Sequence, residues 1–151
     1  MTNDDKLDTH KAELLNALRE RPSRLQQFAQ LIANIQGVRG PQDIQRWATD
    51  LLATMNGALT DVYRRIARHA DSIMQLSEDE RDRALAASLG GLAWAQITDL
   101  RDAAGELRGI SDAPGFVLWL LKWFLGGLFG KLRETQIVAA TAEAEAYFSA
   151  A

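Results

Sequence analysis

The chain has no cysteine, three prolines and two histidines among its 151 residues. The missing cysteine excludes disulfides, thiolate metal sites and cysteine nucleophiles, and is compatible with a reducing compartment. His10 and His69 are far apart in sequence, and neither has a second histidine three or four residues away. With no HExxH or ExxH pairing, no metal site and no cofactor are expected. GxSxG and SxxK are absent, and the Gly-Gly pairs at 90–91 and 126–127 lie in apolar helical runs without the strand or the Lys-Ser/Thr of a phosphate loop. Glu78, Asp79, Glu80 and Asp82 are accounted for by a helix start, where the helix dipole favours negative charge. No catalytic residue is singled out, and the chain reads as non-enzymatic.

A basic field is missing as well. The formal net charge is -3, with ten Lys/Arg against nine Asp/Glu in residues 1–75 and seven against eleven in residues 76–151. Nucleic acid is therefore not expected as a partner. The nearest candidate for a recognition helix, Ser23 to Gln36, is thin in basic charge and fits ordinary amphipathic packing better. Arg64, Arg65 and Arg68, just before His69, read as a solvated helix edge. The N-terminal MTNDDKLDTHK has no apolar signal core and is too acidic for a transit peptide, so a cytoplasmic protein is expected, peripheral at a membrane in the alternative reading below. Sustained period-two alternation is absent, which argues against a sheet.

What is present is helical periodicity in a chain of globular composition, 47% hydrophobic and 25% charged. Leu7, Leu14, Leu15 and Leu18 carry a first pattern and Leu25, Phe28, Leu31, Ile32 and Ile35 a second; Pro22 between them predicts a short hairpin over residues 1–36. GVRGP at 37–41 supplies a helix stop and a proline suited to the next first turn. From there Ile44, Trp47, Leu51, Met55, Leu59, Val62, Ile66, Ala70 and Ile73 keep one phase through Asn56-Gly57, which predicts one long helix to about Leu76. Ser77 with Glu80 forms a capping-box pattern, and Leu85, Leu89, Leu92, Ile97, Leu100 and Leu107 carry the following helix to Gly109. Pro114 opens the last helix, followed through Leu121, Phe124, Leu128, Leu132, Val138 and Ala142 to Tyr147. The expected fold is a single all-α domain over residues 1–151, an elongated antiparallel helical bundle of three long helices over 41–151 plus the short N-terminal helical hairpin.

PGFVLWLLKWFLGGLFGKLR, residues 114–133, stands apart from the rest. Residues 116–130 are too short for a membrane span of about 20 residues, and Lys122 interrupts them. A turn near Ser111 sets Trp119 opposite Ala104, Leu120 opposite Ala103 and Phe116 opposite Leu107, so bulky residues meet small ones as close packing requires. Yet Leu118, Leu125 and Phe129 share the side of Lys122 while Leu120, Phe124 and Leu128 lie opposite, and a helix apolar all round must be buried all round. The cover is the N-terminal hairpin, a protein partner or second copy, or lipid. The reading preferred is an interaction or assembly protein that engages a partner or forms a homo-oligomer through Phe116, Trp119, Lys122, Trp123, Phe124, Leu128, Phe129 and Lys131. The alternative is an amphitropic protein inserting residues 116–130 into a lipid surface. A weaker third is a carrier of a small apolar ligand, held in a layer of Asn56, Gly57, Gln96, Gly126 and Gly127.

Overall fold

The computed structural model describes residues 2–38, 40–112, 124, 127–128 and 134–149, and no strand occurs among them. Helix α1 spans Asn3–Ala33 and ends in a 3-10 turn, Asn34–Gly37; α2 (Pro41–Thr54), a π-helical turn (Met55–Leu59) and α3 (Thr60–Leu76) follow without interruption between them. Helix α4 spans Glu80–Asp112 and α5 spans Glu134–Ser149. The result is an all-α bundle of four helical rods.

Residues 1–36 depart from the expected hairpin, because α1 is one helix with Pro22 inside it. Pro22 removes a donor and crowds the preceding turn, a cost of about 3 kcal/mol. Against it, both halves of α1 bury apolar side chains in the same core: Leu14, Leu15 and Leu18 before the proline, Phe28 and Ile32 after it. Each such side chain contributes about 1.5–3 kcal/mol, so packing outweighs the local penalty. At its start Thr2 and Asp5 cap the helix reciprocally, each side chain accepting the other's backbone N–H at 3.2 Å.

The long run from Pro41 to Leu76 is continuous as expected, with Pro41 in its first turn. Asn56-Gly57 falls inside the π turn, and spacing explains why. Trp47, Leu51, Met55 and Leu59 are all buried at successive steps of four, and each such step overshoots a 3.6-residue repeat by about 40°. One wide turn takes up the accumulated drift and returns Val62, Ile66 and Ile73 to the core. The Thr60 hydroxyl donates to the Met55 carbonyl across it.

The α3–α4 junction is capped differently from the capping box expected. Asp79, not Ser77, receives the first amides of α4, those of Arg81 at 2.8 Å and Asp82 at 3.0 Å. Ser77 is buried in extended backbone at the end of α3, so its hydroxyl accepts from the Asp79 amide and donates to Asp82 at 2.7 Å. Gly109 does not end α4, which runs on to Asp112. Across the α3–α4 seam, a methyl group added at Gly90 would sit 3.4 Å from the Ala70 Cβ, the mark of close helix approach. His10 opposite His69 and Glu20 opposite Arg65 show α1 antiparallel to α3. Asp79 against Tyr147 and Arg81 against Glu143 show α4 antiparallel to α5, within a turn of the expected register.

Candidate functional site

The described part of the apolar stretch is Phe124, Gly127 and Leu128. Phe116, Trp119, Lys122, Trp123, Gly126, Phe129 and Lys131 lie outside the described residues. Phe124 and Leu128 are 4% and 2% exposed in the single chain, so they belong to the core and are not available as surface anchors. Ala103 and Ala104 on α4, the expected counterparts of Leu120 and Trp119, are buried too. On α5 the buried residues are Ile137, Ala144 and Phe148, whereas Val138, expected inside, is 49% exposed and Ala142 is also exposed. Leu128 and Ile137 are nine positions apart, about two and a half turns of a regular helix. No single straight face can carry both, and that is where the expected phase fails.

The candidate ligand layer does not converge on a cavity described here. Asn56 and Gly57 are exposed on the π turn, with open space around Gly57; Gly127 is exposed; only Gln96 is buried, at 0%. Both polar atoms of the Gln96 side chain lack a hydrogen-bond partner among the described residues. Two cavities are lined by other residues. One is a void of about 10 Å³ between all four rods, walled by Leu18, Tyr63, Ile66, Ala93 and Ile137 among others; it is apolar and at the lower limit for one water. The second is an open cleft of about 510 Å³ where α1 meets α2, with Leu31, Val38 and Trp47 as its apolar wall and Asp43, Arg46 and Asp50 on it. Trp47 donates its indole N–H to the Leu31 carbonyl at 2.6 Å, satisfying one acceptor in the last turn of α1.

Polar contacts at both ends tie α5 to the bundle. At its first residue Glu134 accepts two hydrogen bonds from Arg21, at 2.9 and 3.1 Å, in the fork geometry natural to a guanidinium and a carboxylate. Arg21 is almost fully buried; burial opposes its charge, but the Glu134 bonds and the neighbouring Tyr63 hydroxyl hold its pKa above the ordinary arginine value. Burial pushes the Tyr63 hydroxyl up, with the Arg21 charge opposing. That hydroxyl lies close enough to feel Arg21 but makes no hydrogen bond of good geometry, and Arg21 Nε is also without a partner among the described residues. At the far end Lys11 pairs with Asp82 at 3.0 Å and lies over the Phe148 ring, 5.7 Å from its centroid. Tyr147 donates to Asp79 at 3.2 Å and stacks under Arg81. Backbone donors from Asp82 and Arg81, with Tyr147 and Lys11, hold the Asp79 carboxyl below its usual range.

These groups orient and fasten α5; they do not form a nucleophile-and-base set, and no group of three metal-capable side chains exists among the described residues. Among those residues no helix is long and apolar enough to cross a membrane. Two features escape a reading of the sequence. Arg21 resembles one more surface cation and is buried, and His10 and His69, 59 positions apart, are in contact. Only a correct α1–α3 register could reveal either. No protein-family model, curated protein or solved structure matches this chain.

Proposed function

We propose that the protein is a non-enzymatic interaction protein that binds a protein partner, or a second copy of itself, through the apolar stretch 116–130. The observation that carries this reading is the burial of Phe124 and Leu128 within the single chain. By the helical phase of the sequence, the side bearing those two residues is not the side bearing Phe116, Trp119, Trp123 and Phe129. The core thus accounts for the side of Phe124 and Leu128, and the reading assigns the aromatic residues of the other side to a partner. Tryptophan and phenylalanine concentrated in one patch are the residue types that anchor protein interfaces. The polar frame of α5 supports the same reading, because Arg21–Glu134 and Asp79–Tyr147 hold Glu134–Ser149, which follows the stretch in sequence, against the bundle.

Light scattering on the purified chain over a concentration series tests the reading. Self-association that Trp123→Glu abolishes, with far-UV circular dichroism unchanged, is the expected result. A strict monomer in which Trp119→Phe and Trp123→Phe leave the quencher-accessible emission, that of the exposed Trp94, unchanged would overturn it, since the stretch would then be internal. Co-sedimentation with neutral or anionic vesicles, reversed by Trp123→Glu, would replace it with insertion into lipid.

A further inference from the structure

The two histidines of this chain meet across the α1–α3 seam, and no use described above absorbs them. Their Nδ1 atoms are 3.0 Å apart and their ring centroids 5.3 Å apart, little more than the nitrogen separation plus two ring radii, so the nitrogens face each other head on. Whichever ring carries Nδ1–H donates to the bare Nδ1 of the other, whose hydrogen must sit on Nε2. Both rings are only half-buried, within reach of protons from solvent. We propose that His10 and His69 form an acid-sensitive clasp that joins α1 to α3 while at most one ring is protonated and releases them when both are.

A single added proton is shared along the axis that already holds the pair, as a charge-assisted hydrogen bond. A second removes the only acceptor and sets two positive charges 3.0 Å apart. The surrounding charges do not cancel that repulsion. Glu13, from the next turn of α1, favours protonation of His69, but Arg65, from the preceding turn of α3, opposes it and is already engaged with Glu20 and Asp61. Lys6, one turn before His10 on α1, adds positive charge, while Ser72, one turn beyond His69 on α3, is neutral. Asp71 is turned toward α4, where it accepts the Trp94 indole N–H at 3.3 Å. Arg68, beside His69, is exposed. Lys11, beside His10, is turned toward α4 and α5, where it pairs with Asp82 and covers Phe148. The charges that act on His69 therefore come from α1 and α3, the two helices the clasp joins.

The sign follows from the same geometry. Burial first, then the adjacent His10, hold His69 below the ordinary histidine value of 6.5. A histidine with a depressed folded pKa binds fewer protons folded than unfolded, so its contribution is intact above about pH 6.5 and is lost as pH falls through the folded value.

Helix-resolved amide exchange and histidine side-chain NMR on the full chain, between about pH 7.5 and 4.5, test the clasp. The imidazole signals should titrate in two separate steps, and the opening constant of α1 amides near His10 should rise below about pH 6.5 by up to about tenfold per pH unit, the slope of one proton taken up on opening. Amides of the α3–α4 seam should not follow. In His10→Gln/His69→Gln the α1 slope should vanish. Joint titration of both rings in one ordinary step, α1 protection indifferent to pH, or a slope that survives in the double variant would overturn the proposal. The first two outcomes are read from the wild type, so they decide the matter even if the variant folds poorly.

Discussion

The two seams of α3 are built on different principles. Toward α4 it presents Ala70, which a methyl group added at Gly90 would meet at van der Waals distance, with Ile73 one turn beyond it fully buried; Trp94 to Asp71, at 3.3 Å, lies at the exposed edge. Toward α1 an apolar strip is flanked by pairs of polar groups: His10 with His69, Glu20 with Arg65, and Arg21 beside Tyr63. A dry seam gains its stability from shape and is indifferent to pH and salt. A seam fastened by charges is conditional, because each pair can be screened, titrated or left half-made. The bundle thus has one seam held by apolar packing and one whose polar edges can respond to their surroundings.

Substitutions can break or sharpen that contrast. Ile73→Ala, in the dry seam, should cost about 2–5 kcal/mol in urea unfolding, equally at low and high salt. A salt-dependent loss would mean the seam is not dry. Glu134→Ala, which strands the buried Arg21 guanidinium, should cost about 1.5–3 kcal/mol, at the lower end because water screens the half-exposed carboxylate. Arg21→Met removes the charge and keeps the bulk, so its stability should stay within about 1 kcal/mol of wild type. If Arg21→Met proves the worse of the two, the ion pair itself, and not the avoidance of a stranded charge, holds α5 to α1. Gly57→Ala should have the smallest effect, a gain of about 0.5–1 kcal/mol in thermal unfolding, since open space surrounds that position in the π turn.

The dry seam is legible in the sequence and the conditional seam is not, for a physical reason. Apolar phase is a repeated signal: Leu51, Met55, Leu59, Val62, Ile66, Ala70 and Ile73 all vote for one face, and all are buried. The same phase carries the chain correctly through Asn56-Gly57, although the widened turn that absorbs the steps of four is visible only in the backbone. At Pro22 local propensity argues for a break, and packing overrules it. Asp79 displaces Ser77 as a cap because Ser77 is buried at the end of α3. Val138 is expected inside only if the pattern is followed past Leu128 as one straight face. Each polar pair, by contrast, rests on one residue from each helix, and a single residue has no period. Arg21 and Glu134 are 113 positions apart, His10 and His69 59. Of the candidate site, Phe124 and Leu128 turn from anchors into core, and Gln96 alone of the described ligand-layer residues is interior.

The Arg21–Glu134 contact also bears on the order in which the chain assembles. The α3–α4 pairing closes over the short link from Ser77 to Asp79, whereas joining Arg21 to Glu134 must enclose most of the sequence. Loop closure of that length is entropically costly, and contacts close in sequence form first where both are available. The transition state for folding is then expected to contain the α3–α4 pair and to lack the α1–α5 tie. Kinetic analysis should find Ile73→Ala slowing refolding and Glu134→Ala chiefly speeding unfolding. If Glu134→Ala instead slows refolding as strongly as Ile73→Ala, the ends of the chain meet early, and α1 acts as a template for the bundle and not as its last stave.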